Sequence, residues 1–251
     1  MAKYNRKFYD YVNSGSIRSA ERMLPYLTER MNIHSVLDVG CGQGAWLSVW
    51  RNLGVTEIHG IDGDYVERSR LLIDEDAFTA SDLEQPFDLG RQFDVVQSLE
   101  VAEHLSESSA SGFVGSLVRH GDIVLFSAAA KGDGGEHHIN EQDYDYWRNH
   151  FSQHGYVALD YLRPLIIKDR DIEPWYRYNT FLYVKAETVN ELPENIRSQQ
   201  VDDGEPLHDV SPAIWKLRKR VVRLIPVALG TKLAKVKERW MVLVRGATSA
   251  R

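Results

Sequence analysis

The fold is decided by the stretch Val36-Leu37-Asp38-Val39-Gly40-Cys41-Gly42-Gln43-Gly44. An apolar run followed by glycines at every second position predicts a buried strand and a tight strand-to-helix turn. Glycine lets the backbone approach a ligand closely, because no Cβ stands in the way. A second apolar stretch, Ile58-His59-Gly60-Ile61-Asp62, ends in an acid 24 residues after Asp38. A carboxylate at the tip of the second strand is where an α/β nucleotide-binding fold holds ribose hydroxyls.

The glycine spacing distinguishes between classes of nucleotide. A dinucleotide fingerprint is G-x-G-x-x-G, whereas this chain has D-x-G-x-G-x-G beginning at Asp38. The segment resembles the first motif of class I S-adenosylmethionine-dependent methyltransferases. The resemblance implies that Asp38 and the loop of Gly40, Gly42 and Gly44 line the methionine part of the cofactor, and that Asp62 binds the ribose diol. A surface turn that binds nothing does not explain the second acid at this distance.

Hydrophobic patterns predict an α/β fold. Strands are predicted near 35–40, 57–62, 77–81, 93–98, 122–128, 156–163 and 180–186, and helices near 4–30, 45–53, 64–73, 107–120 and 143–154. This alternation indicates a doubly wound, mostly parallel, seven-stranded Rossmann-like sheet. Only a loop is predicted between the last two strands, which favours a hairpin with one antiparallel strand, as in the sheet of the methyltransferase family.

Length, composition and charge predict four segments. The 251 residues, 43% hydrophobic and 26% charged, suit one globular domain with an appendage. We expect an N-terminal helical lid (1–30), an S-adenosylmethionine-binding domain (31–189), an acidic linker (190–211) and a basic amphipathic helical tail (212–251). The single cysteine, Cys41, excludes an internal disulfide and is predicted to be a packed loop residue. With no signal peptide or long apolar run, a cytoplasmic protein is expected.

Two further stretches match the cofactor site of the methyltransferase family. Ala80-Ser81-Asp82-Leu83 follows the third apolar stretch, and the resemblance implies that Asp82 and Leu83 meet the adenine. An ordinary turn aspartate is the alternative for Asp82. The stretch 93–100 resembles the fourth strand, and Ser98 near its end is a predicted cofactor contact, because open α/β sheets bind ligands beyond the carboxyl ends of their strands.

The sequence Glu100-Val101-Ala102-Glu103-His104 reads E-x-x-E-H. If a helical turn begins here, both carboxylates and the imidazole fall on one face, as a mixed donor set that suits Mg²⁺, Mn²⁺ or Zn²⁺. It resembles metal-dependent O-methyltransferases, both those that act on the terminal 2′-hydroxyl of small RNAs and those of ubiquinone biosynthesis. The resemblance implies Mg²⁺ or Mn²⁺, bound to a vicinal diol and held by Glu100, Glu103, His104 and His138, with His137 as the alternative to His138.

Other roles for these residues stay open. Without a metal, His104 and then His138 are the candidate general bases. The motif also occurs in methyltransferases as a helix start that lines the acceptor pocket, and the histidine pair can belong to a mobile lid. We expect Glu100, Glu103, His104 and His138 to face the acceptor.

Aromatic residues predict the acceptor. Tyr144, Tyr146 and Trp147 follow the histidines, and 175–179 reads Trp-Tyr-Arg-Tyr-Asn. Such residues suit a sugar pocket, although packing of the loops onto the sheet is the alternative. Residues 1–190 also resemble, diffusely, bacterial methyltransferases of polysaccharide and natural-product genes. We therefore expect O-methylation of a sugar, glycan or related metabolite. RNA methylation and a non-catalytic scaffold are the rival functions.

The tail has its own charge and its own pattern. Residues 212–251 contain eleven Lys/Arg and one acid, which gives them a net charge of +10. Because the whole chain has a net charge of −6, residues 1–211 have a net charge of −16. Apolar residues recur at helical spacing from Ile214 to Ala228, and Pro226 is predicted to kink or end this helix. A second basic stretch runs over 232–245 and contains Trp240 and Met241. Contact with the inner face of an anionic membrane, docking on the domain, and nucleic-acid binding are the alternatives, and the acidic domain disfavours nucleic acid.

Overall fold

The computed structural model describes residues 6–224, with side chains from residue 13 onward. Seven strands form one sheet: β1 (Ser35–Val39), β2 (Glu57–Asp62), β3 (Phe78–Ala80), β4 (Val95–Leu99), β5 (Ile123–Ser127), β6 (Tyr156–Leu159) and β7 (Phe181–Lys185). Their order is β3-β2-β1-β4-β5-β7-β6. The first five strands run parallel, and β7 is antiparallel to both β5 and β6. The predicted doubly wound sheet with one antiparallel strand is confirmed.

Nine helices are present in the described part of the chain. They are α1 (Arg6–Met23), α2 (Pro25–Thr28), α3 (Ala45–Asn52), α4 (Ala110–Arg119), α5 (Tyr144–Ser152), α6 (Leu162–Ile166), α7 (Pro174–Asn179), α8 (Glu194–Arg197) and α9 (Ala213–Val222). The helix predicted over 4–30 is divided into α1 and α2, because Pro25 lacks an N–H and suits the first turn of a new helix.

The core fills both faces of the sheet. Strands β1 and β4 are buried at every residue, as expected for central parallel strands covered on both sides. One apolar layer contains Met23 of α1 and Trp50 of α3, and the other contains Phe113 of α4 and Phe151 of α5. The two layers cover the faces of the sheet, and the candidate site lies at the edge formed by the carboxyl ends of the parallel strands.

Two predicted elements are wrong. The predicted helix over 64–73 is replaced by turns and a single 3₁₀ turn at Arg68–Arg70, because the Leu72 N–H donates to the Gln43 carbonyl (2.8 Å) and Ile73 packs against Gly44. The predicted strand over 156–163 ends at Leu159, and α6 and α7 lie between β6 and β7 where only a loop was predicted.

The acidic segment 190–211 packs against the domain. The guanidinium of Arg148 donates to the backbone carbonyls of Val201, Asp202 and Glu205. The Asp160 N–H donates to the Gln199 carbonyl at 2.9 Å. A flexible linker would leave these groups in solvent, so the segment is part of the folded domain rather than the free connector that its composition suggested.

Candidate active site

The three glycines of the loop after β1 all have left-handed backbone angles, with φ of +85° at Gly40, +54° at Gly42 and +82° at Gly44. A Cβ at Gly40 would lie 2.3 Å from Val101, and one at Gly44 would lie 3.0 Å from Ile73. A Cβ at Gly42 would meet no described atom within 4 Å. Gly40 and Gly44 thus allow tight packing, whereas Gly42 borders open space at the carboxyl edge of β1.

Asp62 joins the end of β2 to the glycine loop. Its carboxylate accepts the N–H groups of Gly42 and Gly63, each at 2.7 Å, and the hydroxyl of Tyr65. Burial raises the pKa of Asp62, and the hydrogen bonds from Tyr65 and the two glycines oppose that rise. Tyr65 was not predicted from the sequence as a site residue. The available signal was its position three residues after Asp62.

Asp38 is buried beneath the same loop. Burial raises its pKa to about 7, the Gln97 amide opposes the rise, and the charge of Asp62 adds to it. Gln97 is itself buried and accepts a hydrogen bond from the Trp50 indole N–H at 3.0 Å. Burial also raises the pKa of the Cys41 thiol well above its usual range, so Cys41 is a packed thiol and not a nucleophile.

The other predicted cofactor residues lie near Asp62 or at the end of β4. The Ser81 N–H donates to the Asp62 carbonyl at 2.8 Å, which brings the 81–83 turn beside the ribose candidate. Leu83 is buried, whereas Asp82 is exposed and accepts the Glu84 N–H at 3.1 Å, as a turn aspartate does. Ser98 is fully buried, and its hydroxyl has no hydrogen-bond partner among the described residues.

Helix α1 contacts the glycine loop. The Asn13 amide donates to the Gln43 side chain at 2.7 Å, and the hydroxyls of Ser16 and Tyr176 are 3.2 Å apart. This places α1 at the border of the cofactor region, where the predicted lid would lie. The side chains of the predicted lid before residue 13 fall outside the described part of the structure.

The E-x-x-E-H segment forms a short 3₁₀ turn over Ala102–His104. One ligand atom each from Glu103, His104 and His138 lie within 4.8 Å of one another. Glu100 is not in this group, because it precedes the turn with a left-handed φ of +58° and so does not share the predicted helical face. The structure therefore brings together three of the four predicted metal ligands.

Burial sets the charge of these groups. It raises the pKa of Glu103 to about 8. It also raises the pKa of Glu100 well above its usual range, with repulsion from Glu103 as the second cause. Loss of solvation and then proximity to His138 lower the pKa of His104 to about 4, although its side chain is partly in solvent. These shifts favour the neutral imidazole of His104 and the protonated carboxyl of Glu103 when no cation is bound.

Hydrogen bonds orient both imidazoles. The Nδ1–H of His104 donates to the His137 carbonyl at 3.3 Å, and the Nδ1–H of His138 donates to the Glu141 carboxylate at 2.9 Å. In the neutral form of each ring this arrangement leaves Nε2 as the acceptor. The Oε2 atom of Glu103 is buried without a hydrogen-bond partner in residues 13–224. The buried Glu103, the partly buried His138 and the exposed His104 together form a site for a cation or for a donor on a substrate.

The loop that carries His138 is held by Glu141. Its carboxylate also accepts the N–H groups of Gly132 (2.8 Å) and Gly134 (2.6 Å). Burial alone would raise the pKa of Glu141, but the hydrogen bonds from His138 and the glycine amides lower it overall. The loop also docks on Glu103, whose carbonyl accepts the amides of residues 139 and 140. His137 points outward, with its side chain 54% exposed, so His138 is the histidine that reaches the cluster.

Most of the aromatics predicted to line an acceptor pocket pack in the core instead. Tyr144, Trp147, Tyr176 and Tyr178 are buried, and the Tyr144 hydroxyl donates to the Asn179 side chain at 2.9 Å. Within the two predicted clusters, Tyr146, Trp175 and Arg177 keep partial exposure. The packing alternative therefore holds for most of the two clusters.

Comparison with known proteins gives a family and a fold. A family model described as a methyltransferase domain matches residues 6–163. No curated protein sequence matches the chain significantly. The chain resembles the solved structure of DesVI from Streptomyces venezuelae, with a TM-score of 0.53, 16% identity, and coverage of 74% of this chain and 100% of DesVI.

Two other solved structures share the fold. For the sugar N-methyltransferase KedS8 from Streptoalloteichus sp., the TM-score is 0.54 with 16% identity over 74% of this chain and 94% of KedS8. For an O-methyltransferase family protein from Burkholderia thailandensis, it is 0.51 with 14% identity over 70% of this chain and 59% of that one. At such identities the likeness extends to the fold alone.

Proposed function

Because the chain belongs to the class I methyltransferase family, we propose that it transfers the methyl group of S-adenosylmethionine to a hydroxyl of a sugar, glycan or related small metabolite. In this reaction the acceptor oxygen forms a bond to the methyl carbon as the carbon–sulfur bond breaks, and the hydroxyl proton must leave. The products are the methyl ether and S-adenosylhomocysteine. The chain must therefore bind the sulfonium cofactor and promote loss of that proton.

The residues at the carboxyl ends of β1, β2 and β4 support the cofactor assignment. The predicted cofactor residues are Asp38, Gly40, Gly42, Gly44, Asp62, Asp82, Leu83 and Ser98. Asp62 and Gly42 are joined by a direct hydrogen bond, with open space beside Gly42. A carboxylate has about four acceptor sites, and Gly42, Gly63 and Tyr65 use three of them, so Asp62 can still accept a ribose hydroxyl. The buried hydroxyl of Ser98 has an unused donor.

The group formed by Glu103, His104 and His138 is the observation that carries the choice of a hydroxyl acceptor. An alcohol is not acidic enough to attack at neutral pH without help. A general base works best with a pKa near the working pH, and His104, with a pKa of about 4, falls far below it. The same low pKa keeps this imidazole neutral, which is the form that ligates metals.

The donor set fits a divalent cation such as Mg²⁺ or Mn²⁺. Glu103 supplies a buried carboxylate oxygen without a hydrogen-bond partner among the described residues. In both histidines the Nδ1–H donates a hydrogen bond, so Nε2 is the nitrogen that can bind a metal. We propose Glu103, His104 and His138 as ligands, whereas the fourth predicted ligand, Glu100, lies outside this group. When bound, the cation would supply Lewis acidity that lowers the pKa of the acceptor hydroxyl.

Charge disfavours RNA as the acceptor. Residues 1–211, which include the whole candidate site, carry a net charge of −16. A domain of this charge repels a phosphate backbone. A neutral or polyhydroxylated acceptor experiences no such repulsion, so a sugar is favoured over RNA.

The test is transfer of labelled methyl from S-adenosylmethionine into fractionated extract of the source cell, with and without EDTA. We expect label in the polysaccharide, lipid-linked or small-metabolite fraction, lost in EDTA and restored by Mn²⁺, and recovered as an O-methyl sugar by mass spectrometry. Glu103→Gln should abolish it. His34→Gln, an exposed histidine before β1, is the matched control and should retain it.

Other outcomes would each reject a part of the proposal. Label in RNA would reject the sugar acceptor, and an N-methyl product would reject the hydroxyl. Full activity in EDTA would reject the cation. Absence of S-adenosylhomocysteine with every fraction would favour a scaffold that keeps the fold without catalysis.

A further inference from the structure

Helix α9 exposes an apolar stripe to solvent. Ile214, Leu217 and Val221 lie on the helix, and Leu224 lies in the turn that follows it; their exposed fractions are 73%, 55%, 54% and 85%. Spacings of three and four residues place Ile214, Leu217 and Val221 side by side along one helix face. Single exposed apolar residues are ordinary, but a contiguous patch on a soluble domain marks a surface that binds something.

The opposite face of α9 is polar and is fixed to the domain. The Lys219 side chain is 4% exposed, and its ammonium pairs with Asp133 at 3.0 Å and with Asp209 at 3.3 Å. The Arg218 guanidinium donates to the Asp133 carbonyl at 2.9 Å. The two backbones are also in close contact, since a Cβ at Gly132 would lie 2.4 Å from the Lys219 carbonyl oxygen.

An ordinary surface helix buries its apolar face and exposes its charges. In α9 this arrangement is reversed. Rotating the helix to bury the stripe would break the buried ion pairs of Lys219, and breaking such pairs is strongly destabilising. The stripe is therefore held outward by the fold, and its burial requires a partner.

Charge identifies the partner. Lys216 and Arg220 are exposed on α9, and residues 212–251 carry eleven basic residues against one acid. Residues 225–251 are themselves basic, so packing them onto α9 brings like charges together, and so does pairing α9 with the α9 of a second copy. An anionic lipid surface supplies both the opposite charge and an apolar layer.

We propose that the stripe on α9 docks onto an anionic membrane surface, with its apolar side chains in the interface and the flanking Lys216 and Arg220 against lipid phosphates. The membrane is contacted and not crossed: among the described helices, none is long and apolar enough to span it. This inference is independent of the methyl acceptor.

The experiment is sedimentation of the full chain with phosphatidylcholine vesicles that contain or lack phosphatidylglycerol. We expect binding only to the anionic vesicles, weakening as salt is raised. Leu217→Ser should lower the partition coefficient about ten-fold, since a leucine side chain leaves the apolar interface. The matched control is Leu165→Ser on α6, which is also exposed, at 45%, and should bind like the wild type. Lys216→Gln combined with Arg220→Gln should weaken binding to the anionic vesicles.

Folding of each variant is checked by thermal unfolding, and Val221→Ser serves as a second stripe variant. Equal binding by Leu217→Ser and Leu165→Ser, or equal binding to neutral vesicles, would overturn the proposal. If the chain does not bind vesicles and Leu217→Ser lowers the molar mass measured by light scattering, a second copy covers the stripe. If the chain does not bind vesicles and the molar mass is unchanged, residues 225–251 cover the stripe. Either result would also overturn the proposal.

Discussion

Replacing Gly42 by alanine separates ligand contact from backbone strain. Gly42 has a φ of +54°, and a Cβ there meets no described atom within 4 Å. Gly54, at the end of α3, has a φ of +96° and equally open surroundings. Both substitutions place an L-residue in the left-handed region without a clash, but only Gly42 lies in the proposed cofactor loop. Gly40 is unsuitable for this comparison, because a Cβ there would overlap Val101.

The two effects have different magnitudes. The left-handed conformation costs a non-glycine residue about 1–2 kcal/mol, and a loss of about 1 kcal/mol lowers the Tm of a domain of this size by about 2–4 °C. Both variants should show this loss. A methyl group on the loop under the bound cofactor forces the loop or the ligand to shift, and an affinity loss of at least about ten-fold, or about 1.4 kcal/mol, is expected for Gly42→Ala alone.

Thermal unfolding and calorimetric titration with S-adenosylhomocysteine measure the two effects. The expected result is a similar Tm decrease in both variants and a loss of affinity only in Gly42→Ala. Wild-type affinity in Gly42→Ala would refute the placement of the cofactor beside this loop. An equal affinity loss in Gly54→Ala would show that strain, and not contact, controls binding.

Three other variants follow from the contacts. Asp62→Asn should weaken S-adenosylhomocysteine binding about ten-fold or more, because hydrogen bonds to a charged acceptor contribute about 1.5–3 kcal/mol; the exposed neighbour Asp64→Asn should not change the calorimetric affinity. Because burial raises the pKa of Glu103 to about 8, from an ordinary value of 4.5, the folded protein retains a proton that the unfolded chain has lost, so stability falls as pH rises towards 8. Glu103→Gln should make this decrease shallower in urea unfolding between about pH 6.5 and 8 in metal-free buffer, where the titration of His104 is common to both proteins; an unchanged slope would reject the buried-acid assignment. Lys219→Ala should cost about 2–3 kcal/mol in urea unfolding, because Asp133 and Asp209 lose their buried cation, whereas the exposed Lys216→Ala should be neutral.

The sequence was enough to predict the elements whose signal is local. The apolar run before Gly40 and the acid at Asp62 are short-range patterns, and the structure places both at the same edge of the sheet. The helix over 64–73 was wrongly predicted because a long-range hydrogen bond, from the Leu72 N–H to the Gln43 carbonyl, holds that segment in an irregular conformation. Tertiary contact overrides local propensity in such a segment.

The candidate site shows the same division. Sequence spacing marked Glu100, Glu103, His104 and His138 as one constellation, but the backbone turn at Glu100 separates it from the other three. The choice of His138 over His137 depended on Glu141, whose carboxylate orients the His138 ring and holds the loop through two glycine amides. The sequence left His137 as the alternative, and the loop conformation places His138 in the cluster and the His137 side chain in solvent.

The glycine loop, the acid at the end of β2 and the charge of the tail could be known from the amino-acid sequence, because each depends on residue type at short separation. The actual position of His138 beside Glu103 and the outward direction of the stripe on α9 were decided only by the tertiary structure. The first arises because the Glu103 carbonyl binds the amides of a loop 36 residues away. The second arises because Lys219 forms ion pairs with Asp133 and Asp209, which fixes the polar face of α9 to the domain. Both depend on hydrogen bonds and ion pairs between distant segments, and these form only when the chain is folded.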